Sequence, residues 1–237
     1  DTKSTDQVID ELLDYQVEGI ITASVGLSTD LTVRCEAAGV PVVLFNRSLD
    51  VTNHSAVTSN NFSGGKSVAE FFVAAGHKRI GYIGGWEGAS TQREREAGFR
   101  SALAEAGETL AAHALGQFTV EGAKNAARQM FGQPNHPDAV FVATDHMAFA
   151  VMDVLRGELG LHVPNDVSVV GYDDVPPASW AAYDLTTMRQ CADVMVKETV
   201  ALMIEKITNP ASASRHIKID SPLIVRSSAK IPEGWAS

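Results

Sequence analysis

The 237-residue sequence predicts an α/β fold of doubly wound parallel sheets. Three observations carry that prediction. Short β-branched or aliphatic runs recur, segments of helical spacing lie between them, and a composition 45% hydrophobic and 20% charged can fill a core. At this length the chain should bury roughly 70% of its unfolded surface.

The elements follow in order. Residues 6–15 have helical spacing and lead to the run GIIT at 19–22. A second helical segment, 28–38, precedes VPVVLF at 40–45, and a third, 63–75, precedes the run at 80–83. Helical spacing returns at 91–106 and 120–131, before AVFVA at 139–143. The segment 146–159 comes next, then VSVVG at 167–171, and a last helix spans 193–207. Runs this short and this apolar read as strands buried on both faces, and their alternation with helices demands parallel pairing through right-handed crossovers. Thr91-Gln92-Arg93-Glu94 reads as a capping box, while Gly39, Gly76 and Gly107 each follow a helical stretch where a left-handed residue is wanted. Residues 173–187, including Pro176-Pro177, have no clear period and read as a long functional loop.

Charge and composition exclude several functions. Nineteen Lys+Arg against 29 Asp+Glu give a net charge of −10, which repels a polyanion, so this stretch is not itself a nucleic-acid-binding surface. Cys35 and Cys191 have no CxxC spacing and suggest neither a disulfide scaffold nor a zinc site, which fits a reducing cytoplasm. No apolar run approaches 18 residues, and the polar start DTKSTDQVIDELL carries no visible signal peptide. The seven histidines include no HExxH, there is no GxSxG elbow, and nothing assembles a nucleophile, base and orienting acid. An enzyme, a metal site and a cofactor are therefore not expected.

In a doubly wound fold, ligands sit beyond the carboxyl ends of the strands. Those ends carry Ser24, Asn46-Arg47, Gly84-Gly85, Thr144-Asp145 and Asp173-Asp174. Singly, Asp145 reads as a helix N-cap and Asp174 as a solvated turn residue; only the set suggests a site. GYIGGWEG at 81–88 lacks both phosphate-loop signatures, and its glycines fit a tight turn at a crowded cleft better. Arg95 shares a helix stripe with Phe99, Ala102, Leu103 and Ala106, which places a guanidinium on a buried face near a helix amino end, where the dipole opposes it. Either it points into the cleft and grips ligand oxygens, or it snorkels and pairs with Glu94 or Asp145.

Longer stretches carry a resemblance. GVPVVLFNR (39–47), TSNNFSGGKSVAEFF (58–72), AAGHKRIGYIGG (74–85), Arg95-x-x-Gly98-Phe99, FVATDHMAFAVM (141–152), VPNDVSVVGYDDVPPASW (163–180), LTTMRQ (185–190) and PLIVRSS (222–228) are similar to the effector-binding core of LacI-type bacterial transcription regulators. That fold is shared with periplasmic sugar-binding proteins.

The resemblance implies two parallel-sheet lobes joined by three crossovers, near Ser59–Asn60, Thr187–Gln190 and Asp220–Pro222, with a ligand cleft between. One lobe is 1–59 with 190–220 and the other 60–189 with 221–237. It maps effector contacts onto Asn46, Arg95, Phe118, Thr144, Asp145, Asp173 and Gln190. It further implies a sugar or derivative as effector, control of operator DNA through a headpiece outside this chain, a homodimer, a cytoplasmic location and no membrane. A periplasmic sugar-binding protein of a transporter is the alternative. The family's opening strand, helix and strand precede the point where this sequence starts, and their lack would leave sheet edges unpaired. Cys191 stands where the family usually has proline, as does Ala182 before LTT.

Overall fold

A computed structural model describes residues 11, 15–23, 34, 35, 37–48 and 54–235. Ser24 and most of the helical segments expected over 6–15 and 28–38 lie outside the described residues. By internal packing the chain divides into two compact units, Asp1–Ser59 with Cys191–Ile219, and Asn60–Gln190 with Asp220–Ser237.

The first unit holds strands β1 (Ile20–Ala23), β2 (Val42–Phe45), β3 (Ser55–Ser59) and β9 (His216–Ile219), in the order β1-β2-β3-β9 and all parallel. Alternation along the strands splits its apolar residues. Val42, Leu44 and Ala56 pack with Ile20 and Cys35 on one face. Val43 and Val57 pack on the other against Met195, Leu202 and Met203 of the helix Ala192–Thr208. β3 was not expected, because SAVTS is no apolar run, yet all five residues are buried. Its polar side chains are satisfied: Thr58 Oγ1 lies 2.8 Å from His216 Nε2, and the Ser59 hydroxyl donates to the Met195 sulfur at 3.6 Å.

The second unit is larger. Its strands are β4 (Ile80–Gly84), β5 (Leu110–Leu115), β6 (Ala139–Val142), β7 (Ser168–Asp173), β8 (Thr186–Arg189) and β10 (Leu223–Ile224), ordered β10-β8-β7-β6-β4-β5. All pairs are parallel except β10 with β8. Helices α1 (Asn61–Ala74), α2 (Ser90–Glu105), α3 (Val120–Phe131) and α4 (Asp145–Asp153) cover the sheet, with α4 running on into a π-helical turn at Val154–Glu158; the first unit's helix, Ala192–Thr208, is α5. One continuous core fills this unit, with Phe71, Phe72, Tyr82, Phe99, Phe141 and Tyr172 as its largest members.

Strand order reverses between β4 and β6. β5 lies on one side of β4, while β6, β7 and β8 lie on the other, so a crevice is expected where these two strands end. Two helices reach that point. α1 and α2 pack backbone to backbone: a Cβ on Gly65 would stand 2.0 Å from the Arg95 carbonyl oxygen, and one on Gly98 would stand 1.9 Å from the Phe62 carbonyl oxygen. Only glycine permits this approach, which sets Arg95 beside Asn61.

Several local expectations need correction. α2 starts at Ser90 with Ala89 as N-cap and no side-chain cap bond, so Thr91-Gln92-Arg93-Glu94 is not a capping box; Thr91 and Gln92 are buried instead. Ala106, expected on the buried stripe, is exposed because α2 ends one residue earlier. The loop expected over 173–187 contains the 3-10 turn Pro176–Ser179, and β8 begins at Thr186. Gly39, Gly76 and Gly107 do adopt positive φ.

Candidate ligand-binding site

The second unit gathers its polar residues at the carboxyl ends of its strands. Arg95, 3% exposed, is the centre. Its Nε donates to the Asn61 side-chain oxygen at 2.9 Å, and Nη1 donates to the Ala143 carbonyl, just past the end of β6, at 2.5 Å. The guanidinium carbon lies 3.5 Å from the centroid of the Tyr172 ring, a cation–π stack. The other terminal nitrogen, Nη2, stands 3.8 Å from Asp173 Oδ1. The cation is thus fixed in plane by neutral acceptors and an aromatic face while one edge turns towards a carboxylate. Neither Glu94 nor Asp145 is its partner, which removes the snorkelling alternative.

Asp173 ends β7 at φ 126 and Asp174 follows at φ 57, both in territory that side chains other than glycine rarely adopt. The Asp173 side chain keeps 18% of its surface exposed and accepts from the Gln190 amide at 2.5 Å. Burial raises its pKa, opposed by the Arg95 charge and the Gln190 hydrogen bond. Asp174 is not a solvated turn residue. Its carboxylate is 7% exposed and bridges Arg189 Nε at 2.6 Å and Arg226 Nη2 at 2.7 Å, which locks the strained turn.

Asp145 is the first residue of α4, not its cap; Thr144 is the cap, its hydroxyl accepting from the Met147 amide. The Asp145 side chain is fully buried. It accepts from the Thr187 hydroxyl at 2.6 Å and from the Val175 amide at 2.9 Å, tying α4 to β8 and to the turn after β7. Burial pushes its pKa up to about 7, against those two donors and assisted by the Asp173 charge. A carboxylate so enclosed positions its neighbours.

Phe118 supplies an apolar wall. It sits at φ 56 after β5, and its ring lies over Gly85, where an added Cβ would stand 2.1 Å from the ring. Gln92 holds that turn by accepting from the Gly85 amide at 2.8 Å and from the Tyr82 hydroxyl at 2.9 Å. The Gly84-Gly85 pair therefore serves close approach, as a tight turn at a crowded crevice requires. Asn46 belongs to the first unit, where it follows β2 at φ 62 and its backbone N–H donates to the Val57 carbonyl at 2.9 Å.

The structure thus brings Arg95, Asp173 and Gln190 together, with Thr144 and Phe118 on neighbouring strand ends and Asp145 beneath. Asn61 and Tyr172, which grip the guanidinium, were missed. Asn61 lies in a run that reads as a helix start, and Tyr172 in a strand that reads as core. The spacing Arg95-x-x-Gly98 was the available signal, since it marks a cation on a helix that another backbone touches. Among the described residues no cluster could hold a metal ion, and no helix is long and apolar enough to cross a membrane.

Comparison with known proteins agrees with the fold. The periplasmic binding protein-like domain family matches residues 69–229, more than half of the chain. The HTH-type transcriptional regulator CelR of Thermobifida fusca is 34% identical over 223 residues, which cover 92% of this chain and 65% of that protein. The chain therefore spans about two thirds of the length of this curated relative. Among solved structures, a transcriptional regulator CelR–cellobiose complex superposes with a TM-score of 0.87 at 31% identity, over 94% of this chain and 69% of that one. A lac repressor dimer bound to operator and the anti-inducer ONPF gives 0.86 at 25% identity, over 97% and 79%. These relatives are regulators, not enzymes. The chain belongs to the periplasmic binding protein-like domain family, in the form that makes the effector-binding core of LacI-type transcriptional regulators.

Proposed function

We propose that this chain senses a small carbohydrate or carbohydrate derivative and controls the operator binding of a longer, cytoplasmic, homodimeric regulator whose DNA contacts lie outside this sequence. The observation that carries the reading is the Arg95–Asp173 pair. A guanidinium held on its other sides by Asn61, Ala143 and Tyr172 directs its remaining donors to the place where a partly exposed carboxylate offers acceptors. Neighbouring hydroxyls of a sugar both donate and accept, so such a pair can engage two at once, while Phe118 covers the apolar C–H face and Thr144 and Gln190 complete the polar contacts. The net charge of −10 fits a sensor whose DNA contacts are elsewhere. The regulators found by comparison favour this reading over a transport protein.

Calorimetric titration with a panel of mono- and disaccharides, polyols and nucleobases tests it. A carbohydrate is expected to bind, and Asp173→Asn and Phe118→Ala should each weaken it by tenfold or more, about 1.4 kcal/mol. Binding that neither variant alters, or a panel in which only nucleobases bind, overturns the reading. Sedimentation of the full-length regulator with and without operator DNA tests the partners.

A further inference from the structure

The first unit contains a recess at the opposite strand ends from those discussed so far. It holds about 310 Å³ and opens at the amino ends of β2 and β3, between Gly39–Val42, His54, Ser55 and the loop that follows α5. Lys206 lines it. This side chain stands in the last turn of α5, is only 8% exposed and donates from Nζ to the Ser212 carbonyl at 2.5 Å. An ammonium has three donors. A place in the last turn of a helix explains why a cation is tolerated there; it does not explain why it is buried beside open space.

Three features of the lining point one way. No carboxylate lines the recess among the described residues, although the chain as a whole is acidic. The Ser212 hydroxyl oxygen is buried without a hydrogen-bond partner, and Ser55 and Ser214 add further hydroxyls. A second recess of about 240 Å³ shares His54 and Ser214 with the first and adds Arg215 and His216. A buried cation, a line of hydroxyl donors and no competing acid suit a tetrahedral oxyanion, which accepts several hydrogen bonds at once. The volume is at the small end for organic ligand sites and has room for a phosphate with a small substituent.

We propose that this recess binds a phosphate group, either inorganic phosphate or the phosphate of a small phosphorylated metabolite, with Lys206 as its charge partner and Ser212 as a donor. The site is separate from the Arg95 crevice and does not depend on the function proposed for it.

Phosphorus NMR and calorimetry, at fixed ionic strength and with inorganic phosphate, a sugar phosphate and the same sugar unphosphorylated, test the proposal on the whole chain. Wild type is expected to bind at least one of the two phosphates with a dissociation constant below about 10 mM. Lys206→Met should weaken that binding by tenfold or more and Ser212→Ala severalfold, while Asp173→Asn leaves it unchanged. Lys206→Gln replaces Lys206→Met if the latter does not fold. Binding of both phosphates marks the anion alone as the ligand; binding of only the sugar phosphate marks the metabolite. No binding of either phosphate, binding that Lys206→Met leaves intact, or binding that Asp173→Asn abolishes would each overturn the proposal.

Discussion

One arginine and one lysine side chain are buried among the described residues, and they are housed in opposite ways. Arg95 in α2 meets an amide oxygen, a backbone carbonyl, an aromatic face and a carboxylate. Lys206 in α5 meets one carbonyl and faces a recess. A buried ion is expensive unless its surroundings replace the water it has lost, and the planar fork of arginine lets neighbours do so along fixed directions. Lysine is a point charge on a flexible stem, so it tolerates a loosely built site that a ligand or solvent completes. The difference teaches where to look for rigidity and where for exchange: the six-stranded unit is organised around its cation, while the four-stranded unit merely carries one.

Substitutions break this comparison from the strong end. Arg95→Met takes the guanidinium away from the Ala143 carbonyl, the Asn61 oxygen and the Asp173 carboxylate, which keeps the Gln190 hydrogen bond, and removing one member of a buried charge pair costs about 3–5 kcal/mol. At about 2–4 °C per kcal/mol for a chain this size, calorimetry should register a fall in melting temperature of roughly 6–20 °C. A melt within a degree or two of wild type would show that the contacts around the guanidinium carry no stability. Gly65→Ala attacks the same arrangement through the backbone, because its Cβ has no room against the Arg95 carbonyl; overpacking of this kind costs about 1–3 kcal/mol. Denaturant midpoints should fall accordingly, and an unchanged midpoint would mean that α1 and α2 separate freely.

Asp145→Asn belongs in the same range. The amide can accept at only one of its two positions, so either the Thr187 hydroxyl or the Val175 amide loses its acceptor, at about 1–3 kcal/mol. The wild-type residue also predicts a pH dependence. Its carboxyl ionises at about 7 in the folded chain and near the ordinary value of about 4 when unfolded. Between these limits the folded chain holds a proton that the unfolded chain has released, so stability falls as pH rises from about 4 to about 7 and levels off above. Asp173, shifted upward by the same cause, adds in the same direction. Urea midpoints across that range should slope downward in wild type and flatten in Asp145→Asn; an upward slope would contradict the burial argument. The smallest effect is Lys206→Met, expected within about 1 kcal/mol of wild type because water can reach the Ser212 carbonyl that it frees. A loss as large as that of Arg95→Met would erase the contrast between the two cations.

The alternation of apolar runs and helical segments was legible because β4, β6 and β7 lie in the middle of a parallel sheet and bury both faces. β3, β5, β8 and β9 were not legible as strands, for identifiable reasons. β3 and β8 are buried but rich in Ser and Thr, whose hydroxyls find partners: Thr186 with the Arg226 backbone and Thr187 with Asp145. β5 and β9 are edge strands; LAAHAL is half alanine, a weak strand former, and HIKI is short. The strand-end list pointed to the neighbourhood of the candidate site, and Arg95 was legible because a charge in an apolar stripe is a local contradiction. Which groups resolve that contradiction depends on contacts 34 to 77 positions away, at Asn61, Ala143 and Tyr172, and no local pattern encodes those.

The close packing of α1 on α2 has an evolutionary consequence. The groups that fix the guanidinium are the buried Asn61 side chain, a core aromatic and a backbone carbonyl, with glycines allowing the helices to meet, and each is constrained by its neighbours. Phe118, Thr144 and Gln190 sit beyond the strand ends and are only partly buried. Drift can therefore exchange the outer contacts while the inner anchor stays put. Under the function proposed above, a descendant of this chain reaches a different effector in a few steps without passing through an unfolded intermediate, and a library restricted to those three positions is the economical place to seek altered selectivity.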